Sequence, residues 1–105
     1  MKGRSLTVVE KAHWELVGDM CCIACEKDGF INFHISLHHV NGRTRPGAHL
    51  DVLPLCAPHH QHDDTDPMGR IGIHPWKKRW ENMYGTSEQL LIEIKRRIEV
   101  RNGKN

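Results

Sequence analysis

The fold of this chain depends on two short stretches, Cys22-Ile23-Ala24-Cys25 and Leu55-Cys56-Ala57-Pro58-His59-His60. Each stretch carries two metal-binding side chains separated by two other residues, and this spacing lets one tight turn present both ligands to a single ion. Together they predict a closed, tetrahedral zinc site of the Cys₃His type, whose ligands are Cys22, Cys25, Cys56 and His59. Ordinary buried thiols are the alternative, but the agreement of two spaced pairs favours metal. The zinc site would clamp the segment between the two stretches.

The size of the chain gives a structural metal a large role. With 105 residues, of which 38% are hydrophobic, the chain buries only somewhat more than roughly 60% of its unfolded surface. A core of that size is thin, so a bound metal would stabilise it substantially. The sequence contains no repeats or low-complexity tracts, which predicts a single domain over residues 1–105.

Composition also predicts where the protein works. No apolar, signal-like segment precedes Cys21, and the longest apolar stretch is too short to span a membrane. We therefore expect a cytoplasmic protein without a membrane partner, in which thiols stay reduced and C-x-x-C spacing favours metal over disulfide. The net charge of +2 is small, but basic residues near the histidine-rich segments favour contact with phosphate.

Helical periodicity places helices at both ends of the chain. The first is predicted at residues 7–18, within an N-terminal segment 1–20. A last helix, capped by Thr86 with Gln89, is predicted to end near residue 100, and another at residues 75–84, so that segment 70–100 is mainly helical. The apolar residues expected to face the core are Val8, Val9, Ala12 and Leu16 in the first helix and Leu90, Leu91, Ile94 and Ile98 in the last.

A β-hairpin is predicted within the central segment 21–62. Alternation of Phe33, Ile35 and Leu37 with polar residues is typical of a half-buried strand, and a second short strand is predicted at residues 52–55. A short helix with Pro58 in its first turn should follow. The sequence thus predicts an α+β fold, in which a zinc-stabilised hairpin has flanking helices.

A second group of histidines lies at one end of the predicted hairpin. His38 and His39 end the first strand, and His60 follows the zinc ligand His59. Adjacent residues of a strand point to opposite faces, so His38 and His39 should differ in role, one holding a metal and the other facing substrate. A structural zinc site alone does not need these histidines, which therefore predict an active site.

These segments resemble the HNH endonuclease family, whose ββα-metal motif combines a hairpin with a helix and is often held by a cysteine-rich zinc site. The matching segments are Leu37-His38-His39-Val40, Asp51 at the position of the middle Asn, and Leu55-Cys56-Ala57-Pro58-His59-His60. Further runs resemble the phage recombination-enhancement nucleases called Ref, which cut DNA where RecA filaments have formed. Those runs are Asn41-Gly42-Arg43-Thr44, Pro46-Gly47-Ala48-His49, Leu53-Pro54-Leu55-Cys56, Ile73-His74-Pro75 and Tyr84-Gly85.

The resemblance implies a metal-dependent endonuclease that hydrolyses the phosphodiester bonds of DNA. It implies that His39 is the general base and that Asp51 orients His39. The implied ligands of one divalent cation are His38, His60 and, as the third, His74, with His62 as the alternative. Imidazole nitrogen suits Zn²⁺, Mn²⁺, Co²⁺ or Ni²⁺ better than Mg²⁺, which would keep more of its water ligands.

The expected partners are DNA and, through the resemblance to Ref, the RecA filament, in the cytoplasm of a bacterium that carries the phage or prophage. The expected phosphate contacts are Arg43, Arg45, Lys77, Lys78 and Arg79. The alternative function is a non-catalytic zinc-binding module that docks on nucleic acid or on a RecA filament. Such a module would leave the second group of histidines without a role.

Overall fold

The computed structural model describes residues 6–42 and 47–101, the last of these by its backbone only. Its elements are α1 (Val8–Gly18), α2 (Ile23–Lys27), β1 (Ile35–His39), β2 (Val52–Cys56), α3 (Ala57–His60), α4 (Ile73–Tyr84) and α5 (Ser87–Arg101), with one turn of 3₁₀ helix at Ala48–Leu50. In these two ranges, no helix has both the length and the apolar character needed to span a membrane.

The centre of the molecule is an antiparallel hairpin of β1 and β2. Ile35 pairs with Cys56 at one end and His39 pairs with Val52 at the other. Every residue of β2 is buried, because helices cover this strand. The predicted hairpin is confirmed, but β1 is shorter than expected: it begins at Ile35, and Phe33 is 61% exposed.

The last helix covers the hairpin with the predicted apolar stripe. Leu90, Leu91, Ile94 and Ile98 are each between 0% and 8% exposed and belong to the core cluster that also contains residues of β2. Thr86 and Gln89 form the predicted capping box, since the Thr86 N–H donates to Gln89 Oε1 at 3.0 Å and the Gln89 N–H donates to Thr86 Oγ1 at 3.2 Å. The predicted α+β fold, a hairpin with flanking helices, is confirmed.

The first helix lies where it was predicted, but of its predicted core-facing residues only Leu16 packs against the core, and Ala12 is exposed. Val8 and Val9 are 87% and 71% exposed, whereas Val17 is fully buried. The side that packs inward includes Trp14, whose indole N–H donates to the carbonyl of His49 at 2.7 Å. Because this contact is made to a residue far along the chain, the spacing of apolar residues in the helix did not indicate it.

The start of α4 is tied to the end of α3 by main-chain contacts. Gln61 and His74 form a parallel bridge, and the His62 N–H donates to the His74 carbonyl at 2.8 Å. The two segments approach so closely that a Cβ on Gly72 would lie 2.1 Å from the His62 nitrogen. This approach brings His74 beside the histidines that follow β2.

Candidate active site and metal centres

The two short stretches bring four ligands to one point. Cys22 caps α2 and Cys25 lies inside it, Cys56 ends β2, and His59 lies in α3. All four side chains are at most 2% exposed, and their ligand atoms lie within 4.8 Å of one another.

The spacing of these atoms fits a tetrahedral zinc ion. His59 Nδ1 lies 3.6 Å, 3.5 Å and 3.2 Å from the sulfurs of Cys22, Cys25 and Cys56, and the Cys25 and Cys56 sulfurs are 3.6 Å apart. Zinc bonds of about 2.3 Å to sulfur and about 2.1 Å to nitrogen give tetrahedral edges of about 3.6–3.8 Å. The Cys₃His cluster therefore has the geometry of a structural zinc site.

Polar groups around the Cys₃His cluster support its ligands. His59 Nε2 donates to the Tyr84 hydroxyl at 3.2 Å, and Tyr84 donates in turn to Asp28 at 2.8 Å. These two hydrogen bonds leave Nδ1 of His59 as the ligand nitrogen, and the partners of zinc-bound histidines commonly have this effect. The Cys25 N–H donates to the Cys22 sulfur at 3.4 Å, which supports negative charge on that sulfur.

Burial without a cation would be costly for these thiolates. Burial raises the pKa of the Cys22 thiol to about 12 and also raises the pKa of Cys56. A bound cation removes this penalty, since a coordinating thiol is deprotonated outright. The enclosed donor set thus fits a metal better than it fits free thiols.

Three histidines form a second cluster, and one of them, His60, directly follows the Cys₃His residue His59 in the chain. It consists of His38 from β1, His60 from α3 and His74 from the start of α4, whose ligand nitrogens also lie within 4.8 Å of one another. The ring centroids are 5.2 Å apart for His38 and His60, 4.9 Å for His38 and His74, and 5.6 Å for His60 and His74. The imidazoles that the sequence predicted as ligands of a second cation thus converge.

The three-histidine cluster is open to solvent, in contrast to the Cys₃His cluster. It borders a pocket of about 310 Å³ that is also lined by Leu37, His39 and Gly42. His38 is buried at the bottom of the cluster, His60 is half-buried and His74 is exposed. An open metal site can bind water or substrate at its remaining positions, which is the property of a catalytic site.

The protonation of these histidines suits metal binding. Burial, followed by the neighbouring His60 and His74, lowers the pKa of His38 to about 3, so His38 is neutral at ordinary pH. His60 Nδ1 is 2.8 Å from Ser36 Oγ, which donates to the Leu55 carbonyl at 3.4 Å. Ser36 therefore accepts the Nδ1 proton of His60 and leaves Nε2 as the ligand nitrogen.

His39 points away from the three-histidine cluster, as expected for the neighbour of His38 on a strand. Its Nε2 is 3.0 Å from Nδ1 of His49, and its ring meets the edge of Trp14 at a centroid distance of 5.3 Å. His39 nevertheless lines the pocket on which the cluster opens. The two adjacent histidines thus reach one pocket from different sides.

Asp51 contacts the residues that directly follow His39. Its carboxylate accepts hydrogen bonds from Asn41 and from Lys95 of α5, both at 2.8 Å. Its carbonyl accepts the N–H of Val40, the residue after His39, at 3.0 Å. Asp51 therefore holds the backbone beside His39. The predicted orientation of His39 by Asp51 would act through this main-chain contact.

His62, the alternative third ligand, lies outside the cluster. Its Nε2 pairs with Asp64 at 2.9 Å, its Nδ1 accepts the Gly72 N–H at 3.3 Å, and its ring meets the edge of Trp76. Of the two candidates for the third ligand, it is His74 that the structure places beside His38 and His60.

The basic residues Lys77, Lys78 and Arg79 of α4 are exposed. Lys77 lies close enough to His38 to depress its pKa further. In the part of the chain that the structure describes, no ion pair involves Lys77, Lys78 or Arg79. Arg70, by contrast, pairs with the buried carboxylate of Asp66 at 2.7 Å. The two loop arginines predicted to contact phosphate, Arg43 and Arg45, lie outside the described residues.

Sequence reasoning missed the partners that hold the site from outside its motifs. Tyr84 and Asp28 support His59, and His49 and Trp14 contact the ring of His39. Each partner is far in sequence from the histidine that it contacts, and its position does not follow the C-x-x-C type of spacing that indicates metal ligands. The resemblance to Ref drew attention to two of them, through the runs that contain His49 and Tyr84, but it did not indicate these contacts.

The fold and the two clusters define a class: a small α+β protein with a closed Cys₃His site and a separate, open site of three histidines. Residues 6–99 match a protein family described as "Recombination enhancement, RecA-dependent nuclease". The chain belongs to this family, which confirms the resemblance to Ref-like nucleases. The family description indicates a nuclease that acts with RecA in recombination.

Proposed function

We propose that this protein is a metal-dependent DNA endonuclease of the HNH type, which acts where RecA filaments have formed. The observation that supports this most strongly is the convergence of His38, His60 and His74 at an open pocket, apart from the Cys₃His cluster. A protein that needed metal only for its fold would have no use for the second set of ligands. The order β1, β2, α3 agrees with a ββα-metal motif.

His38, His60 and His74 would hold one divalent cation. When bound, such a cation neutralises charge on the scissile phosphate and on the leaving 3′ oxygen. The three imidazoles favour Zn²⁺, Mn²⁺, Co²⁺ or Ni²⁺ over Mg²⁺. Ser36 orients His60, and the bridge between Gln61 and His74 positions the third ligand.

His39 would act as the general base. A water attacks the phosphorus, its proton passes to His39, and the bond to the 3′ oxygen breaks. His39 Nδ1 is enclosed by protein atoms in this structure, and catalytic hydrogen bonds often form fully only with substrate bound. We therefore expect the protein atoms that cover Nδ1 to move aside when DNA enters the pocket, while the His39 ring keeps its contact with His49.

The basic residues of α4 would bind the DNA backbone. Lys77 lies near the pocket, and Lys78 and Arg79 follow it as exposed residues of the same helix. Contacts of this kind position a duplex without reading its sequence. Arg43 and Arg45, which lie outside the described residues, stay candidate contacts from the sequence alone.

The test is cleavage of plasmid DNA with and without RecA filaments, in the presence of each candidate divalent cation. We expect cleavage that depends on the cation and increases with the filament. His39→Ala should abolish it, whereas His34→Ala, a change at an exposed residue just before β1, should leave it unchanged. Full cleavage by His39→Ala would overturn the assignment of the base. Binding to DNA or filament without cleavage under any condition would instead support a non-catalytic module.

A further inference from the structure

We propose that His49 is a positioning residue, which holds the ring of His39 in the orientation that a general base needs. The inference rests on the proposed function, in which His39 takes the proton of the attacking water. It concerns a residue outside the matching HNH segments and outside both metal clusters.

The contact between the two rings is direct and enclosed. His39 Nε2 and His49 Nδ1 are 3.0 Å apart, and the rings meet edge to face with an interplanar angle of 83°. His49 is only 3% exposed. It lies in the 3₁₀ turn Ala48–Leu50, so the contact joins the end of β1 to the segment that precedes β2.

Trp14 of α1 holds His49 in place. Its indole N–H donates to the backbone carbonyl of His49 at 2.7 Å. The Trp14 ring also meets the edges of His39 and His49, at centroid distances of 5.3 Å and 5.4 Å. Three elements therefore fix the His39–His49 pair, and the hydrogen bond from Trp14 does not depend on the imidazole of His49.

The hydrogen bond between the rings selects one tautomer of His39. A neutral imidazole has one donor and one acceptor nitrogen. If Nε2 of His39 donates to Nδ1 of His49, then Nδ1 of His39 carries the basic lone pair, and the proton of His49 resides on its own Nε2. Once Nδ1 has taken the proton of the water, Nε2 still donates to His49. This arrangement resembles the way a carboxylate orients a catalytic histidine, with a neutral acceptor in its place.

The test compares three variants at His49 under saturating cation and RecA filament. His49→Ala removes the acceptor but keeps the carbonyl bound by Trp14. His49→Asn restores an acceptor oxygen near the position of Nδ1, and His49→Gln carries the same amide one bond further out. We expect His49→Ala to lower kcat by about 10–100-fold, the size of effect seen when a metal-bound histidine loses its hydrogen-bonding partner, with KM and both metal contents unchanged. His49→Asn should recover most of the loss and His49→Gln little.

Failure of this inference is distinguishable from failure of the proposed function. Unchanged kcat in His49→Ala, with His39→Ala inactive, would overturn the role of His49 and leave the nuclease assignment intact. Equal loss in the Ala, Asn and Gln variants would also overturn it, because the acceptor would then have no special effect. If His49→Ala does not fold, the comparison of Asn with Gln decides by the same criterion. Full activity of His39→Ala would instead refute the proposed base.

Discussion

At the level of single residues, the neighbours His38 and His39 show how one strand can serve two purposes. Because alternate side chains leave opposite faces of a strand, His38 joins the three-histidine cluster while His39 contacts His49. The sequence predicted this division from adjacency alone. It could not predict the contact between His39 and His49, since a separation of ten residues in a loop does not indicate that two rings meet.

The choice of the third imidazole leads to a prediction on single substitutions. We expect His38→Ala, His60→Ala and His74→Ala each to weaken the binding of the second divalent cation by at least about 10-fold, since each would remove a ligand. His62→Ala should leave that affinity unchanged, because His62 contacts Asp64 and Gly72 instead. Isothermal titration with Mn²⁺ or Co²⁺ on the zinc-loaded protein would measure this. Weaker binding in His62→Ala but not in His74→Ala would reverse the assignment.

A prediction also follows from the close approach at Gly72. A methyl group there would lie 2.1 Å from the His62 nitrogen, so Gly72→Ala must push α4 away from α3. We expect weaker binding of the second cation and lower stability, by about 1–3 kcal/mol as for other overpacked sites. The control is Gly18→Ala, because Gly18 has open space around it. Gly69 is unsuitable as a control, since its φ is positive. Equal cation affinity in Gly72→Ala and Gly18→Ala would contradict this account.

At the level of elements, periodicity predicted α5 well and α1 only in part. The stripe of α5 is regular and packs on the hairpin, so that position and face were both correct. In α1 the residues Val8 and Val9 suggested a core face, yet the helix turns Trp14 and Val17 inward. The position of a helix is encoded locally, but its face depends on what packs against it. The start of α4 depends in the same way on its bridge to Gln61.

The packing of α1 on α5 predicts a pH effect on stability. Burial, then Lys95, lower the pKa of His13 below its ordinary 6.5, against smaller opposing effects of the Leu50 backbone and Asp51. Glu99 lines the same cavity. Below pH 6.5 the unfolded chain takes up a proton that folded His13 resists, so the free energy of unfolding falls as the pH decreases.

We therefore expect His13→Gln to lose less stability than the unchanged protein between about pH 7.5 and about pH 5.5. The direction of this difference follows from the lowered pKa of folded His13, because glutamine has no proton to take up in the unfolded chain. Urea unfolding at both pH values measures it, with His34→Gln as the exposed control. The comparison of the two proteins removes every contribution to the pH dependence that they share. An unchanged pH dependence in His13→Gln would show that His13 is not the group responsible.

For the whole molecule, the Cys₃His cluster joins the elements that surround it. The Cys₃His cluster connects α2, the end of β2 and α3, and the support of His59 by Tyr84 adds α4. Metal binding of this kind is worth about 10–16 kcal/mol in small zinc domains, more than the net stability of most domains. The sequence predicted these ligands because two spaced pairs agreed. That residues 1–105 form a single domain stays a prediction.

We expect removal of the zinc to unfold the protein. A strong chelator, or Cys56→Ser, should abolish the cooperative thermal transition and most of the helical circular dichroism, because the thin core cannot compensate for the lost metal. Cys21→Ser, at the half-buried neighbour of the first ligand, is the matched control and should keep both. A chelated protein that still melts cooperatively near its original temperature would show that the metal is dispensable for the fold.

The presence of two distinct metal sites can be tested by native mass spectrometry on the intact chain during a titration with chelator and then with Mn²⁺. The account predicts one zinc ion that resists mild chelation and a second, weaker cation that is lost in His38→Ala, with DNA cleavage following the occupancy of the second site. A single metal ion in the cleaving protein, or full cleavage by His38→Ala with only the Cys₃His site filled, would contradict it.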